Sequence, residues 1–416
     1  MHRRLAGPYP KFATLPTPLR RLLAAALLVL ALGGGIYLLS SQGSTTPAYA
    51  ATAHKPAKGT GFFGIVPQTA VTEKDAEYMK AGGIEAIRSP LIWPAVQPTK
   101  RGPYNWAAFD PVVEEAARQG LSVLPFIIAT PKWVAKKETT LPIHNATQRK
   151  AYVTFLRAVV ERYGPGGQFW VEHSPATIRA EKAKEKEGPV YELPGAQLKP
   201  IARPVPIKTW EIWNEANYFY FAYPVDPIAY AKLLKLSTPL IRRTEPGAKV
   251  ILAGLFGRPT AGAKRGMPAA EFLEKIYAVP GIKSYFDGVA LHPYAIDSEE
   301  LEEIVEEMHE VTVKAHDRVP LYITEMGWGS QNDFHIDAFE HGVQGQVEEL
   351  KAAYKFLLEN RIRLDLKQVD WFSWKDLPES CAFCDSVGFF KGNSTHFIPK
   401  PAWRAFVQIT GGKPRP

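Results

Sequence analysis

The chain of 416 residues has only two cysteines, Cys381 and Cys384, in the sequence SCAFCDS. Two thiols cannot build a disulfide-dense scaffold, and with no second pair they cannot complete a four-cysteine zinc site. In an oxidising compartment they read as one local disulfide; a redox-active pair would want a thioredoxin-like context, which is missing. Acid is absent from one stretch altogether. Residues 1–72 carry no Asp or Glu, but do carry Arg3, Arg4, Lys11, Arg20, Arg21, Lys55 and Lys58. Those seven charges account for all but +1 of the formal +8. The body is close to neutral, so composition gives no support for a phosphate-tracking surface and no nucleic-acid partner is expected. Also lacking is a glycine-rich turn after the first strand-like run, where the sequence is PQTAVTEKD. That argues against a doubly wound dinucleotide fold.

Long apolar runs are confined to one place, Leu22–Leu39. As a helix these 18 residues would span about 27 Å, enough for a bilayer core. Arg20 and Arg21 precede it, which puts the N-terminus inside and the rest of the chain outside. The other reading is a cleaved signal, with Ala48-Tyr49-Ala50 as the small-x-small site. That site lies far beyond the apolar run, which favours a retained anchor; either way the body is exported. The expected organisation is a basic cytoplasmic segment at 1–21, an anchor or signal at 22–40, a flexible tether at 41–59, one folded domain at 60–411 and a tail at 412–416.

From residue 61 onward, strand-like runs alternate with helical periodicity. Strands are predicted at Phe62–Val66, Ala86–Leu91, Ser122–Ile127, Trp210–Trp213, Lys249–Leu255, Gly288–His292, Leu321–Thr324 and Val369–Trp374. Helices are predicted at Thr72–Ala81, Phe109–Gln119, Thr147–Tyr163, Pro227–Thr244, Ala269–Ala278, Ser298–Ala315 and Gly342–Asn360. Eight β/α alternations fit an α/β fold of the (β/α)8, or TIM-barrel, class. Segments that follow strands then share the C-terminal face, where such barrels carry their sites. The charged insertion Glu172–Lys208 follows a helix and is expected on the opposite face, without a catalytic part.

Two carboxylates end strands on that face: Glu215 in WEIWNEAN and Glu325 in YITEMGW. Their strands are nearly opposite in an eight-membered ring, so both side chains can reach one pocket. Two facing carboxyl groups are what glycosidic bond cleavage requires, about 5–5.5 Å apart for retention of configuration and about 6.5–9.5 Å for inversion. A lone strand-end Glu would more simply cap a helix or pair with a base. Aromatic residues crowd the same segments: Trp93, Trp133, Tyr218, Phe219, Tyr220, Tyr223, Trp328, Trp374 and Phe389. Sugar rings stack their apolar faces on such planes.

With those motifs in order, the body from about Gly61 to Ile409 resembles the clan A retaining glycoside hydrolases, most of all families 39 and 5. Asn214-Glu215 matches the Asn-Glu acid/base motif, and Glu325 the nucleophile strand. Arg88 in AIRSPLIW, His292 and Tyr294 in LHPY, and Trp374 in WFSW match the second-, sixth- and eighth-strand positions. Ala216 stands where proline is usual, and no histidine follows the third strand as in family 5. The resemblance implies an enzyme hydrolysing O-glycosyl bonds by double displacement, with no metal and no cofactor. Glu215 would be the acid/base and Glu325 the nucleophile, its pKa held down by Arg88 and Tyr294. Arg88, Trp93, Asn214, His292, Tyr294, Trp328 and Trp374 would bind substrate. A duller reading makes His292 a core histidine and Arg88 a structural partner of Glu211 or Glu85. The expected partners are a carbohydrate substrate and, through the N-terminal helix, the membrane; the domain is expected to be monomeric. A transglycosylase, or a non-catalytic glycan-binding protein on the same fold, is the alternative.

Overall fold

The computed structural model describes residues 59–185, 199–259, 262, 265–332, 338–377, 381, 383–392 and 397–413. The anchor, the tether and the signal site expected between residues 1 and 58 lie outside these, as do residues 186–198 of the insertion and 414–416 of the tail. No helix among the described residues is long and apolar enough to cross a membrane.

Nine parallel strands form the main sheet: β1 Phe63–Val66, β2 Ala86–Ile92, β3 Ser122–Ile128, β4 Thr209–Ile212, β5 Lys249–Ile251, β6 Leu255–Phe256, β7 Val289–His292, β8 Leu321–Met326 and β9 Leu366–Phe372. The hydrogen-bonded order is β5-β4-β3-β2-β1-β9-β8-β7-β6. The ends meet through Ile251, which bridges Gly288 in parallel, so the sheet closes on itself as a barrel. β5 and β6 are two halves of one barrel position. The expected continuous strand Lys249–Leu255 is therefore corrected to two pieces broken at Leu252–Gly254. The break has a cause. The Gly254 N–H donates to Glu211 Oε1 at 2.8 Å, and its carbonyl accepts from Glu215 N at 3.1 Å. Those groups are thereby withdrawn from the ladder, and the buried Tyr230 hydroxyl bridges the gap between Ala253 N and Ile212 O.

Helices Glu73–Ala81, Asp110–Arg118, Ala146–Tyr163, Pro227–Thr244, Ala269–Tyr277, Ser298–Lys314 and Gly342–Glu359 lie within a residue or two of their predicted bounds. Their starts follow capping chemistry: Thr72 and Asp75 form a reciprocal box, and Asn145, Asp226 and Asp297 each accept from a first-turn N–H. A further helix, Pro401–Thr410, is not among the predicted ones. It packs Trp403 and Phe406 on Phe389 and closes the ring by a hydrogen bond from Thr410 Oγ1 to the Gly82 carbonyl. A hairpin, β10 Phe390–Gly392 with β11 Phe397–Pro399, precedes it. The insertion carries a helix at Pro175–Glu185. It rejoins the barrel where Ile207 N meets the Tyr163 carbonyl, at the end of a helix that runs away from the mouth.

Most of the core lies between strands and helices, from outward-facing residues such as Ile87, Leu91, Trp210 and Ile323. A small apolar layer of Leu124, Ile251, Ala290 and Tyr322 is a separate cluster. By strand alternation these residues share the barrel lumen with Arg88 and Glu211.

Candidate active site

At the lumen's upper end the packing turns polar. Arg88 projects inward from β2 and is wholly buried. Its Nε and Nη2 each donate to Glu211 of β4 at 2.7 Å, Nη2 also to Asn214 Oδ1 at 2.8 Å, and Nη1 to Glu325 Oε1 at 2.6 Å. The guanidinium lies 4.0 Å from the Phe126 ring centroid. Burial works against its charge, but Glu211 and Glu325 more than offset this and raise its pKa. Glu85, the other partner considered for Arg88, instead accepts from the N–H groups of Gly59, Gly61 and Phe62.

Two local distortions aim the carboxylates. After β4 the backbone enters the left-handed region at Trp213 (φ 77°) and at Glu215 (φ 39°). Each such non-glycine residue costs on the order of 1–3 kcal/mol and persists because surrounding contacts impose it. Along β8 the register slips between Ile323 and Met326. Ile323 and Met326 both join the outer core, so the bulge frees Glu325 to turn inward with Thr324. One oxygen from each glutamate and one His292 nitrogen all lie within 4.8 Å of one another.

The two environments differ. Glu325 accepts from Arg88 and, through Oε2, from the Tyr294 hydroxyl at 2.8 Å. Glu215 Oε1 shares a 2.8 Å hydrogen bond with His292 Nδ1. Burial, then the charge of Glu325, push Glu215 well above the usual carboxylate range. Burial also raises Glu325, although Arg88 and the Tyr294 hydroxyl pull it back down. The expectation that Arg88 and Tyr294 hold its pKa below normal is thus corrected: desolvation outweighs them. His292 is held well below its ordinary value by burial and then by Arg88, and is neutral. Its Nε2 has no partner and faces Gly254, where a Cβ would sit 2.0 Å away. Any side chain at Gly254 would drive the imidazole off Glu215. One oxygen of each glutamate and the imidazole nitrogen are close enough to face a cation, but a buried cation, Arg88, already pairs with Glu325.

The structure thus gathers Arg88, Asn214, Glu215, His292, Tyr294 and Glu325. It does not gather the three tryptophans. Trp93 stacks on Phe155 and donates to Gln97; Trp328 donates to the Ala295 carbonyl; Trp374 donates to Asp75 and packs edge-on against Trp403. None is more than 1% exposed. A sugar platform needs an open face, so their assignment to substrate binding is corrected to core packing. In the eighth-strand case β9 ends at Phe372, which packs on Tyr294, whereas Trp374 lies two residues past the strand end and turns into the outer core against Phe390 and Trp403. Trp133 is partly buried against the core and Phe389 wholly buried. Missed by the sequence reading are Phe256, Phe339, Phe372 and Phe383. Together with Tyr294 they form a continuous aromatic wall with ring centroids 5.4–6.1 Å apart, and Tyr218 stacks on Phe256 at 5.1 Å. Cys381 and Cys384 are joined as a disulfide in the segment after β9 that presents Phe383.

No family model and no curated protein matches the sequence. Solved structures do match in fold. A family 39 glycoside hydrolase from Bacteroides cellulosilyticus superposes with a TM-score of 0.55 at 16% identity, over 85% of this chain and 64% of that one. The family 39 enzyme from Xanthomonas axonopodis pv. citri gives 0.57 at 17% identity, over 88% and 69%. A subfamily 18 enzyme of glycoside hydrolase family 5 from Bifidobacterium longum, determined with Manβ1-4GlcNAc, gives 0.55 at 14%, over 84% and 78%. The chain spans less than two thirds of the first of these, and the likeness is one of fold alone, an α/β barrel.

Proposed function

We propose that the protein is a retaining glycoside hydrolase acting on an exported oligo- or polysaccharide, with Glu325 as nucleophile and Glu215 as acid/base. The observation that carries this reading is the pair of carboxylates within 4.8 Å in opposite surroundings. One oxygen of each within that distance is in keeping with the spacing of about 5–5.5 Å typical of retaining pairs, and shorter than the roughly 6.5–9.5 Å of inverting ones. Glu325, set on Arg88 and Tyr294, is the group better able to carry charge, so it attacks the anomeric carbon. Glu215, beside a neutral imidazole and raised further by the Glu325 charge, keeps its proton and delivers it to the departing oxygen. Once Glu325 is esterified its charge is gone, Glu215 falls in pKa, and it takes the proton of the incoming water. Asn214, fixed through Oδ1 on Arg88, turns its amide N–H2 toward the sugar 2-hydroxyl. A disulfide fits an extracytoplasmic site, and the basic, apolar N-terminal run fits an anchor or export signal.

The test is azide rescue with an activated aryl glycoside that the wild type cleaves. Glu215→Ala still forms the glycosyl-enzyme, and azide then releases a glycosyl azide of retained configuration. Glu325→Ala with azide gives the inverted product. The opposite pairing would exchange the two roles, and unimpaired turnover in both variants would place the site elsewhere.

A further inference from the structure

The segment that carries Glu215 does not end at the acid. Three residues on, Tyr218 N bonds the Glu215 carbonyl at 2.8 Å, and Tyr218 packs edge-on against Tyr220 at 5.1 Å. Tyr220 and Tyr223 are 44% and 41% exposed, large aromatic rings at the surface beside a site whose tryptophans are all buried. Two neighbouring loops brace this segment. Phe219 N bonds the Arg265 carbonyl, Tyr218 bridges Gly266, and Tyr223 N bonds the Thr139 carbonyl. Both loops bring cations onto the rings: the Arg265 guanidinium lies 3.9 Å from the Phe219 centroid, and Lys137 Nζ lies 5.0 Å from that of Tyr223. Neither cation has an ion pair among the described residues. Lys132 and Lys136 are exposed in the same loop as Lys137, against a single acid, Glu138. The loop from Phe256 to Pro268 contains no acidic residue at all. In a body of net charge close to zero, this is positive charge gathered on one rim and interleaved with exposed aromatic rings.

We propose that this rim is a binding platform for an anionic polysaccharide, on the leaving-group side of the cleaved bond. The placement rests on the function proposed above, since the proton donor marks the side on which the departing chain lies. Aromatic faces take the C–H faces of successive sugars. Lys137 and Arg265 take acidic substituents carried by the same sugars.

The test uses the full chain bearing Glu325→Gln, so that the polymer is not consumed, with polygalacturonate as anionic probe and dextran as neutral one. Polygalacturonate binding is expected to fall about tenfold between roughly 0.05 and 0.5 M salt, as exposed charges are screened. Lys137→Ala with Arg265→Ala should weaken it about tenfold at low salt, two exposed charge contacts being worth that much. Tyr220→Ala with Tyr223→Ala should weaken it several-fold at both salts. All four positions are on the surface, and circular dichroism verifies the fold of each variant. Unchanged binding in both double variants would mean that the basic N-terminal segment alone holds the polymer, and would overturn the proposal. Dextran binding as tightly, or an oligodeoxythymidylate of equal charge competing as well as polygalacturonate, would overturn it too. Should the wild type cleave no glycoside while variant-sensitive binding persists, the hydrolase reading fails and the platform stands.

Discussion

The ends of β4 and β8 each present one glutamate to the same small space, yet they do so by different means. At β4 the chain leaves the strand through two left-handed residues, and the carboxyl meets only a neutral imidazole. At β8 a register slip turns the side chain inward, onto a guanidinium and a phenol. The same residue type, equally buried, is thereby prepared for opposite tasks. On the function proposed above, one end favours the neutral acid and the other supports the charged nucleophile. Burial raises both groups, so the partner decides the role.

Removing either carboxylate should break this asymmetry with the largest effect. Glu325→Ala is expected to cost on the order of 10⁵-fold or more in kcat on any glycoside, as loss of a nucleophile does. Glu215→Ala should cost about 10²–10⁴-fold on substrates with poor leaving groups, and much less on dinitrophenyl glycosides, which need no proton. Kinetics on a leaving-group series checks both. Equal losses across the series for Glu215→Ala would mean that it is not the acid.

Arg88→Lys comes next, because the arginine anchors both ends at once. An ammonium cannot span Glu211, Asn214 and Glu325 from one position. At least one buried carboxylate would lose its direct contact with the cation, at a cost of up to about 3–5 kcal/mol, read from the urea midpoint. Activity should fall with stability, and mainly in kcat, where the ammonium stays on Glu211 and no longer bonds Glu325. A variant that lost stability but kept kcat would confine Arg88 to a structural part.

How much of this could be read from sequence follows from the same contrast. The order of strands and helices was legible, because period-2 and period-3.6 patterns are local. So were Glu215 and Glu325, since strand ends in a barrel share one face. The break in the fifth strand was not, because it depends on Glu211 and Glu215 reaching across from β4 to Gly254. The tryptophans misled for a similar reason. A bulky aromatic near a strand end satisfies either an outer core or a mouth, and nothing local shows that Trp374, past the end of β9, turns outward to Trp403 while Phe372 packs on Tyr294. The five residues of the aromatic wall come from four stretches of the chain, around 256, 294, 339 and 372–383, so no short window contains it.

A smaller effect tests the β4 end by stability alone. The buried Glu215 has a folded pKa above its unfolded value of about 4.3. Below the unfolded value both states hold the proton. As pH rises past that point the unfolded state releases it first, so the native state binds more protons and stability falls until the folded group titrates. Glu215→Gln abolishes this penalty. Its Tm should exceed that of the wild type by a few degrees at pH 8 and by little at pH 4.5, with some slope remaining from Glu325. A Tm difference independent of pH would mean that Glu215 is not desolvated.

The smallest effect concerns the β8 side, where the disulfide stands behind the aromatic wall. Cys381 and Cys384 are three residues apart, so reduction frees a loop of only four residues. The chain-entropy gain from so short a loop is at most about 2 kcal/mol, and the barrel as a whole should lose little stability when both become serine. Locally the consequence is different. Phe383 lies between the two cysteines and packs edge-on against Tyr294, with centroids 5.4 Å apart. Tyr294 is the donor to Glu325, so a loosened Phe383 relaxes one side of the ring that positions it. Cys381→Ser with Cys384→Ser should therefore raise KM several-fold while kcat stays within about twofold, because Arg88 still holds Glu325 and Tyr294 keeps its hydrogen bond. The same double change should leave the kinetic effect of Glu215→Ala untouched, since the rings that Phe383 packs on, Tyr294, Phe339 and Phe372, lie on other segments than β4. An equal fall in kcat in the serine variant would show that the wall fixes the nucleophile itself, and the division between the two strand ends would then have to be redrawn.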